Sequence, residues 1–269
     1  MTRTIREIST REAEFLSRLA ARGQTIFSTG QAEAFWGNAR HAANVLSRLV
    51  EKGWLQRLER GVYMILPLEA GPERAWSESA LVIAPYLIHP TAVAYWSALH
   101  YWNMTEQVPQ TVFVQSTRRK RPLEVLGMRF RFVTVSHAHF FGIAHRTLDG
   151  KAIYVTDREK TLLDAAARPD LSGGTVQLAQ ALLAAHTDVD WVRLDRYLDR
   201  WGGGVVVKRL GYLVEVLALP IPDSDHRMQS WQELLSQGIS PLEPGANARG
   251  PVATRWRVRV NVDVATQGR

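Results

Sequence analysis

The chain has 269 residues, and at roughly 100–200 residues per domain this length predicts about two domains with room for a substantial core. Hydrophobic residues make up 46% and charged residues 22%, a balance that excludes global disorder, and no apolar run approaches the roughly 18 residues of a membrane-spanning helix. Cysteine is absent, which excludes disulfides, thiolate catalysis and cysteine-held metal centres together. The charged segment from Met1 to Glu14 lacks the apolar stretch of a secretory signal, so a cytoplasmic location is expected.

The formal net charge of +7 is unevenly placed. Residues 1–68 hold ten Lys/Arg against six Asp/Glu; residues 115–131 hold six (Arg118, Arg119, Lys120, Arg121, Arg129, Arg131) against Glu124; residues 245–269 hold five Arg against Asp263. The rest of the chain is acidic. Clustered rather than diffuse positive charge is what a polyanionic partner requires.

The elements follow in chain order. Ser9 with Glu12 three positions on is a capping-box spacing, and Phe15, Leu16 and Leu19 share one face of a helix over 9–22. Ser28 or Thr29 starts a short second helix that ends at Gly37. Asn38 then caps a third helix to Lys52, with Ala42, Val45, Leu46 and Leu49 at helical spacing and Gly53 as its stop. Residues 54–58 and 62–65 read as strands about the turn Glu59-Arg60-Gly61. This order is that of a winged helix-turn-helix, and Pro67, Gly71 and Pro72 place a domain boundary at 67–75, giving domains 1–68 and 75–269.

Beyond the boundary, 75–101 is predicted helical in two pieces, broken at His89-Pro90 with Thr91 as a cap. Strands are predicted at 111–115, 128–135 and 151–156. Helices follow over 157–167, 174–186, 191–201 and 205–217, then a Gly/Pro-rich loop at 237–251. Trp256 to Val264 alternates Val with polar residues, the pattern of a half-buried strand. The expected class is therefore α+β, a winged helix-turn-helix followed by a larger mixed α/β domain.

The third helix is the candidate DNA reader. Asn38, Arg40, His41, Asn44, Ser47 and Arg48 lie away from its apolar stripe. Arg can grip guanine O6/N7 and Asn adenine N6/N7 with paired hydrogen bonds in the major groove. Arg57 and Arg60 in the hairpin, and the run Arg118-Arg119-Lys120-Arg121, are candidates for phosphate contacts. Double-stranded DNA is thus the expected partner, and a nucleoid-associated location follows.

No catalytic pattern competes with this reading. His137, His139 and His145 have no interleaved carboxylate or thiolate, so no metal or other cofactor is expected there. Asp157-Arg158-Glu159-Lys160 lacks the acidic residue two before the lysine that a metal-dependent nuclease uses, and fits a helix cap better. Gly202-Gly203-Gly204 lacks the Gly-Lys-Ser/Thr of a phosphate loop. A protein without enzymatic activity is expected; a nuclease-like C-terminal domain is the alternative.

Several stretches resemble the AbiEi family, the antitoxins and transcriptional regulators of bacterial type IV, abortive-infection toxin–antitoxin pairs. One is Gly61-Val62-Tyr63 in the wing. Three others fall in the second domain: His89-Pro90-Thr91-Ala92-Val93-Ala94-Tyr95-Trp96-Ser97-Ala98-Leu99-His100, then Val155-Thr156-Asp157-Arg158-Glu159-Lys160-Thr161-Leu162-Leu163-Asp164, then Lys208-Arg209-Leu210-Gly211-Tyr212-Leu213-Val214-Glu215. The resemblance covers most of residues 24–217. It implies a repressor that binds an inverted repeat upstream of its own operon, with a mixed α/β antitoxin domain that counteracts a nucleotidyltransferase-like toxin without needing a stable complex. Lys160 and Arg209 are candidates for toxin antagonism within stretches whose Leu, Ala and Gly content otherwise points to packing. A plain regulator without a toxin partner is the remaining alternative.

Overall fold

The computed structural model describes residues 7–71 and 76–264. Helix α1 (Thr10–Ala20) opens with the expected capping box, Ser9 and Glu12 each accepting from the other's backbone N–H. Strand β1 (Ile26–Ser28), which the sequence pattern does not announce, leads into α2 (Thr29–Trp36). Gly37, in the left-handed conformation at φ 71°, ends α2 and donates its N–H to the Glu33 carbonyl. The chain then turns into α3 (Ala39–Glu51) and the hairpin of β2 (Leu55–Glu59) and β3 (Val62–Ile65). The three strands form a sheet in the order β1-β3-β2.

This sheet has two covered faces. Phe27 and Leu55 pack with α1, α2 and α3, whose Phe15, Leu16, Leu46 and Leu49 are buried. Ile26, Leu58, Val62, Met64 and Leu66 instead join a core shared with the rest of the chain. At ~1.5–3 kcal/mol per fully buried large apolar side chain, that second face binds the winged helix firmly to its neighbour. A 3₁₀ turn at Leu68–Ala70 follows, and residues 72–75, with Pro72 of the expected boundary, lie outside the described residues.

The second part starts with α4 (Ala80–Leu87), whose Val82, Ile83 and Leu87 meet the wing sheet from the other side. Strand β4 (Ala92–Val93) and helix α5 (Tyr95–Tyr101) come next. Thr91 therefore precedes a strand and does not cap a helix: the Ala94 N–H bonds to the Phe113 carbonyl, so sheet pairing overrides the local helical pattern. Strands β5 (Thr111–Ser116), β6 (Leu123–Val125), β7 (Met128–Thr134), β8 (Ile143–Leu148) and β9 (Lys151–Thr156) complete a mixed sheet in the order β6-β7-β5-β4-β9-β8. Its parallel pairs are β5 with β7 and β4 with β9.

Helices α6 (Arg158–Ala167), α7 (Gly174–Ala185), α8 (Trp191–Trp201), α9 (Val205–Val216) and α10 (Ser224–Glu233) build a helical layer with its own core. The tail differs from the expected long strand. Only short pairings form, among β10 (Ser240–Pro241), β11 (Val252–Ala253) and β12 (Val258–Arg259). Trp256 ends a 3₁₀ turn and Arg257 turns left-handed at φ 52°, so the alternation of valines comes from seating Trp256 and Val258 on the helical core. The fit is close: a Cβ at Gly211 of α9 would run into the Trp256 indole. Among the described residues, no helix is long and apolar enough to cross a membrane.

Candidate nucleic-acid interface

Helix α3 begins with the Asn38 side chain accepting from the His41 N–H at 2.8 Å, a cap that satisfies one of the open donors of its first turn. Ala42, Val45, Leu46 and Leu49 are buried, which fixes the helix's rotation. Arg40, His41, Asn44, Ser47 and Arg48 are exposed on the opposite face, beside the exposed cap Asn38. Glu12 of α1 lies at the margin of this face, 3.8 Å from Arg48 and 3.4 Å from Lys52. Burial pushes the Glu12 carboxyl up, but the Ser9 N–H and hydroxyl, together with Lys52, hold it below the usual carboxylate value.

The hairpin stands next to this helix. Its tip, Gly61, has φ 82°, and its carbonyl accepts the Thr29 N–H at 2.8 Å, which joins the wing to the start of α2. A register shift between Arg57 and Glu59 bends the strand, and the Arg57 Nε donates to the Glu59 carbonyl at 3.2 Å. Arg57 and Arg60 are exposed.

The basic run of the second part comes against this wing. The Lys120 ammonium sits 2.7 Å from both carboxylate oxygens of Glu59 and also donates to the Leu87 carbonyl. It lies 5.5 Å above the Phe132 ring as well. Lys120 is thus turned inward, holding its loop to the wing, while Arg118, Arg119 and Arg121 remain exposed. The structure so ties the basic loop to the wing, which itself adjoins α3, and leaves Arg118, Arg119 and Arg121 exposed. Glu59 is the member that sequence reasoning missed. Its partner is 61 residues away, and no local spacing signals that pair.

The two cations considered for toxin antagonism lie elsewhere and inside. Lys160 is fully buried, pairs with Asp164 one turn along α6, and sits about 5 Å from the rings of Phe141 and Trp201. Arg209 donates to the Ala166 carbonyl at 2.6 Å and to the Pro241 carbonyl at 3.2 and 3.3 Å. Both side chains are interior packing and hydrogen-bonding groups in this conformation. Burial raises the Asp164 carboxyl above its ordinary range, against the pull of Lys160.

The remaining candidates separate. Asp157 caps α6 through the Lys160 N–H at 2.8 Å and accepts from the Tyr197 hydroxyl at 2.7 Å. Glu159 accepts the Asp190 N–H at 2.8 Å and pairs with Arg193. Both carboxylates of the nuclease alternative are therefore engaged in structure. His137 and His139 occupy a 3₁₀ turn capped by Ser136, and His145 of β8 packs edge-on against Tyr154 of β9. Among the described residues, no group of three His, Asp or Glu is placed to hold a metal ion. Three of the tail arginines are locally tied, Arg255 to Glu215, Arg257 to the carbonyls of Leu235 and Ser236, and Arg259 to that of Gly250. Arg269 of that patch lies outside the described residues.

Residues 14–65, which take in most of α1 and all of α2, α3 and the wing, match the family model described as "Transcriptional regulator, AbiEi antitoxin". No curated protein matches the chain. Among solved structures, the RV2827C protein from Mycobacterium tuberculosis superposes with a TM-score of 0.62 at 17% identity, over 94% of this chain and 92% of that one. At that identity the likeness is one of fold, and it extends across both parts of the molecule.

Proposed function

Taking as premise a winged helix that matches the AbiEi antitoxin and regulator family, we propose that this protein is a DNA-binding autorepressor and antitoxin. In this reading α3 enters the major groove of an inverted repeat upstream of its own operon. Arg40 and Asn44 contact base edges, and Arg57, Arg60, Arg118, Arg119 and Arg121 contact phosphates beside it. The second part counteracts a nucleotidyltransferase-like toxin without needing a stable complex with it and without an enzymatic activity of its own.

The observation that supports the DNA reading best is the exposed polar face of α3 beside a basic wing, to which one ion pair ties a second basic loop. A gel-shift series with duplex DNA from the upstream region tests it. Binding to that duplex in preference to a scrambled one, lost in Arg40→Ala and Asn44→Ala, is the expected result. Equal affinity for both duplexes in the unaltered protein would sink the operator assignment. The antitoxin half is tested by co-expression with a neighbouring nucleotidyltransferase-like protein: growth arrest unchanged by this chain would remove it.

A further inference from the structure

Behind the wing, between the winged helix and the second part, the surface folds into a groove centred on Tyr86 at the end of α4. Two hollows of about 380 and 420 Å³ share Pro85, Tyr86 and His89 and so adjoin one another around these residues. Arg118 and Arg119 line the first; Arg22 from the turn after α1, with Tyr154 of β9, lines the second. Each hollow is on the scale of a small-molecule site, and of one nucleotide.

Charge and aromaticity coincide here. Among the described residues, no Asp or Glu lines either hollow. The lysines at the two ends, Lys120 and Lys151, are already paired with Glu59 and Glu78. The guanidinium groups of Arg22, Arg118 and Arg119 have no carboxylate partner among the described residues and are exposed, so the groove carries uncompensated positive charge. Tyr86 is among the few large apolar side chains left open, at 36% exposure, and Tyr154 beside it is braced edge-on by His145. An exposed ring, Tyr86, next to a half-buried one, Tyr154, between arginines forms a surface on which bases stack while phosphates meet the cations.

We propose that this groove binds a short single-stranded nucleic acid, with bases on Tyr86 and Tyr154 and phosphates at Arg118, Arg119 and Arg22. A duplex, its bases already stacked on one another, cannot present single bases to hollows of this size. The site is distinct from the reading face of α3.

Fluorescence anisotropy with the full chain and labelled ten-residue oligouridylate and oligothymidylate tests the proposal. Saturable binding of at least one strand is expected. It should weaken roughly 5- to 150-fold in Tyr86→Ala, the loss of one stacked base, and should fall in Arg22→Ala while remaining unchanged in Asn44→Ala. Arg22 lies in an exposed turn, so that variant keeps the test open should Tyr86→Ala fold poorly. Operator duplex binding should survive Tyr86→Ala. No saturable binding of either strand would overturn the site. Equal losses of single-strand and duplex affinity in Tyr86→Ala would instead make the groove an extension of the duplex path. Full displacement of the strand by micromolar mononucleotide would assign the hollows to a free nucleotide, which also overturns the strand reading.

Discussion

Helices α3 and α6 both carry cations, and the molecule treats them in opposite ways. On α3 the apolar residues face inward, so Arg40 and Arg48 stand in water, where a charge costs little and is available to a partner. On α6 nearly every side chain is enclosed, Lys160 included, and its ammonium is held by Asp164 within the same helix. A cation taken out of water must be matched by an anion, hydrogen-bond acceptors or aromatic faces, and here all of its surroundings serve that need. A charged motif thus stands open to solvent on one helix and forms internal architecture on the other. The distinction lies in which face the apolar neighbours occupy.

Breaking the interior pair should give the largest effect. Lys160→Ala or Asp164→Ala leaves one buried charge uncompensated and should cost about 3–5 kcal/mol in urea unfolding. A double Lys160→Met/Asp164→Leu replacement should recover most of that loss, because neither charge then remains to be matched. If Lys160→Ala alone unfolds within about 1 kcal/mol of the unaltered chain, the interior reading of this helix fails.

On the exposed helix the same kind of substitution should leave stability nearly unchanged and act on binding. Arg40→Ala and Asn44→Ala should each lose about 1–3 kcal/mol of operator affinity, and mutations at the corresponding bases should be tolerated better by the variant than by the original. Competition gel shifts with single-base operator variants measure this. Uniform weakening across all sequences would reassign the residue to phosphate.

Between these extremes lies Glu12, nearly buried yet adjoining the exposed polar face of α3. Ser9→Ala removes a cap and should cost about 1 kcal/mol. The Glu12 carboxyl is held below its ordinary 4.5, so its stabilisation is complete above that pH and is lost as pH falls through the folded value. Ser9→Ala should reduce this loss, which unfolding measured from pH 7 to 3 would show. An identical acid limb in both proteins would mean that Ser9 does not set the Glu12 titration.

The winged helix was legible because its signals are local. Gly37-Asn38 stops one helix and caps the next, and Gly61 supplies the turn of the hairpin. The second part was legible in its strongly apolar helices and in β5, β7 and β9, but not in β8, an edge strand whose central His145, Arg146 and Thr147 are all exposed and carry no burial alternation. Nor was the tail, where the valine pattern reflects seating on α9 rather than a strand. The cations that the structure turns inward depend on distant partners. Arg209 finds carbonyls at 166 and 241, and Lys120 finds Glu59. Such pairings belong to tertiary structure, so a charge count alone placed Lys120 and Arg118 in the same class.

That class divides in the smallest of the expected effects. Each phosphate contact contributes about 0.9 to the slope of log affinity against log salt, so Arg118→Ala should lower that slope by about 0.9 and weaken binding only a few-fold. Lys120 has its ammonium on Glu59 and releases no counterion from DNA. Lys120→Met should therefore leave the slope nearly intact, yet weaken binding by freeing the Glu59 carboxylate beside Arg57 and Arg60. Adding Glu59→Gln should restore affinity in the Lys120→Met background, because the repulsive charge is then gone. The same addition cannot restore the guanidinium–phosphate pairing that Arg118→Ala removes. Binding isotherms between 50 and 200 mM salt separate the two behaviours. A slope lowered as much by Lys120→Met as by Arg118→Ala would show that Lys120 leaves Glu59 for the DNA, and the division between inward and outward cations would then not extend to the basic loop.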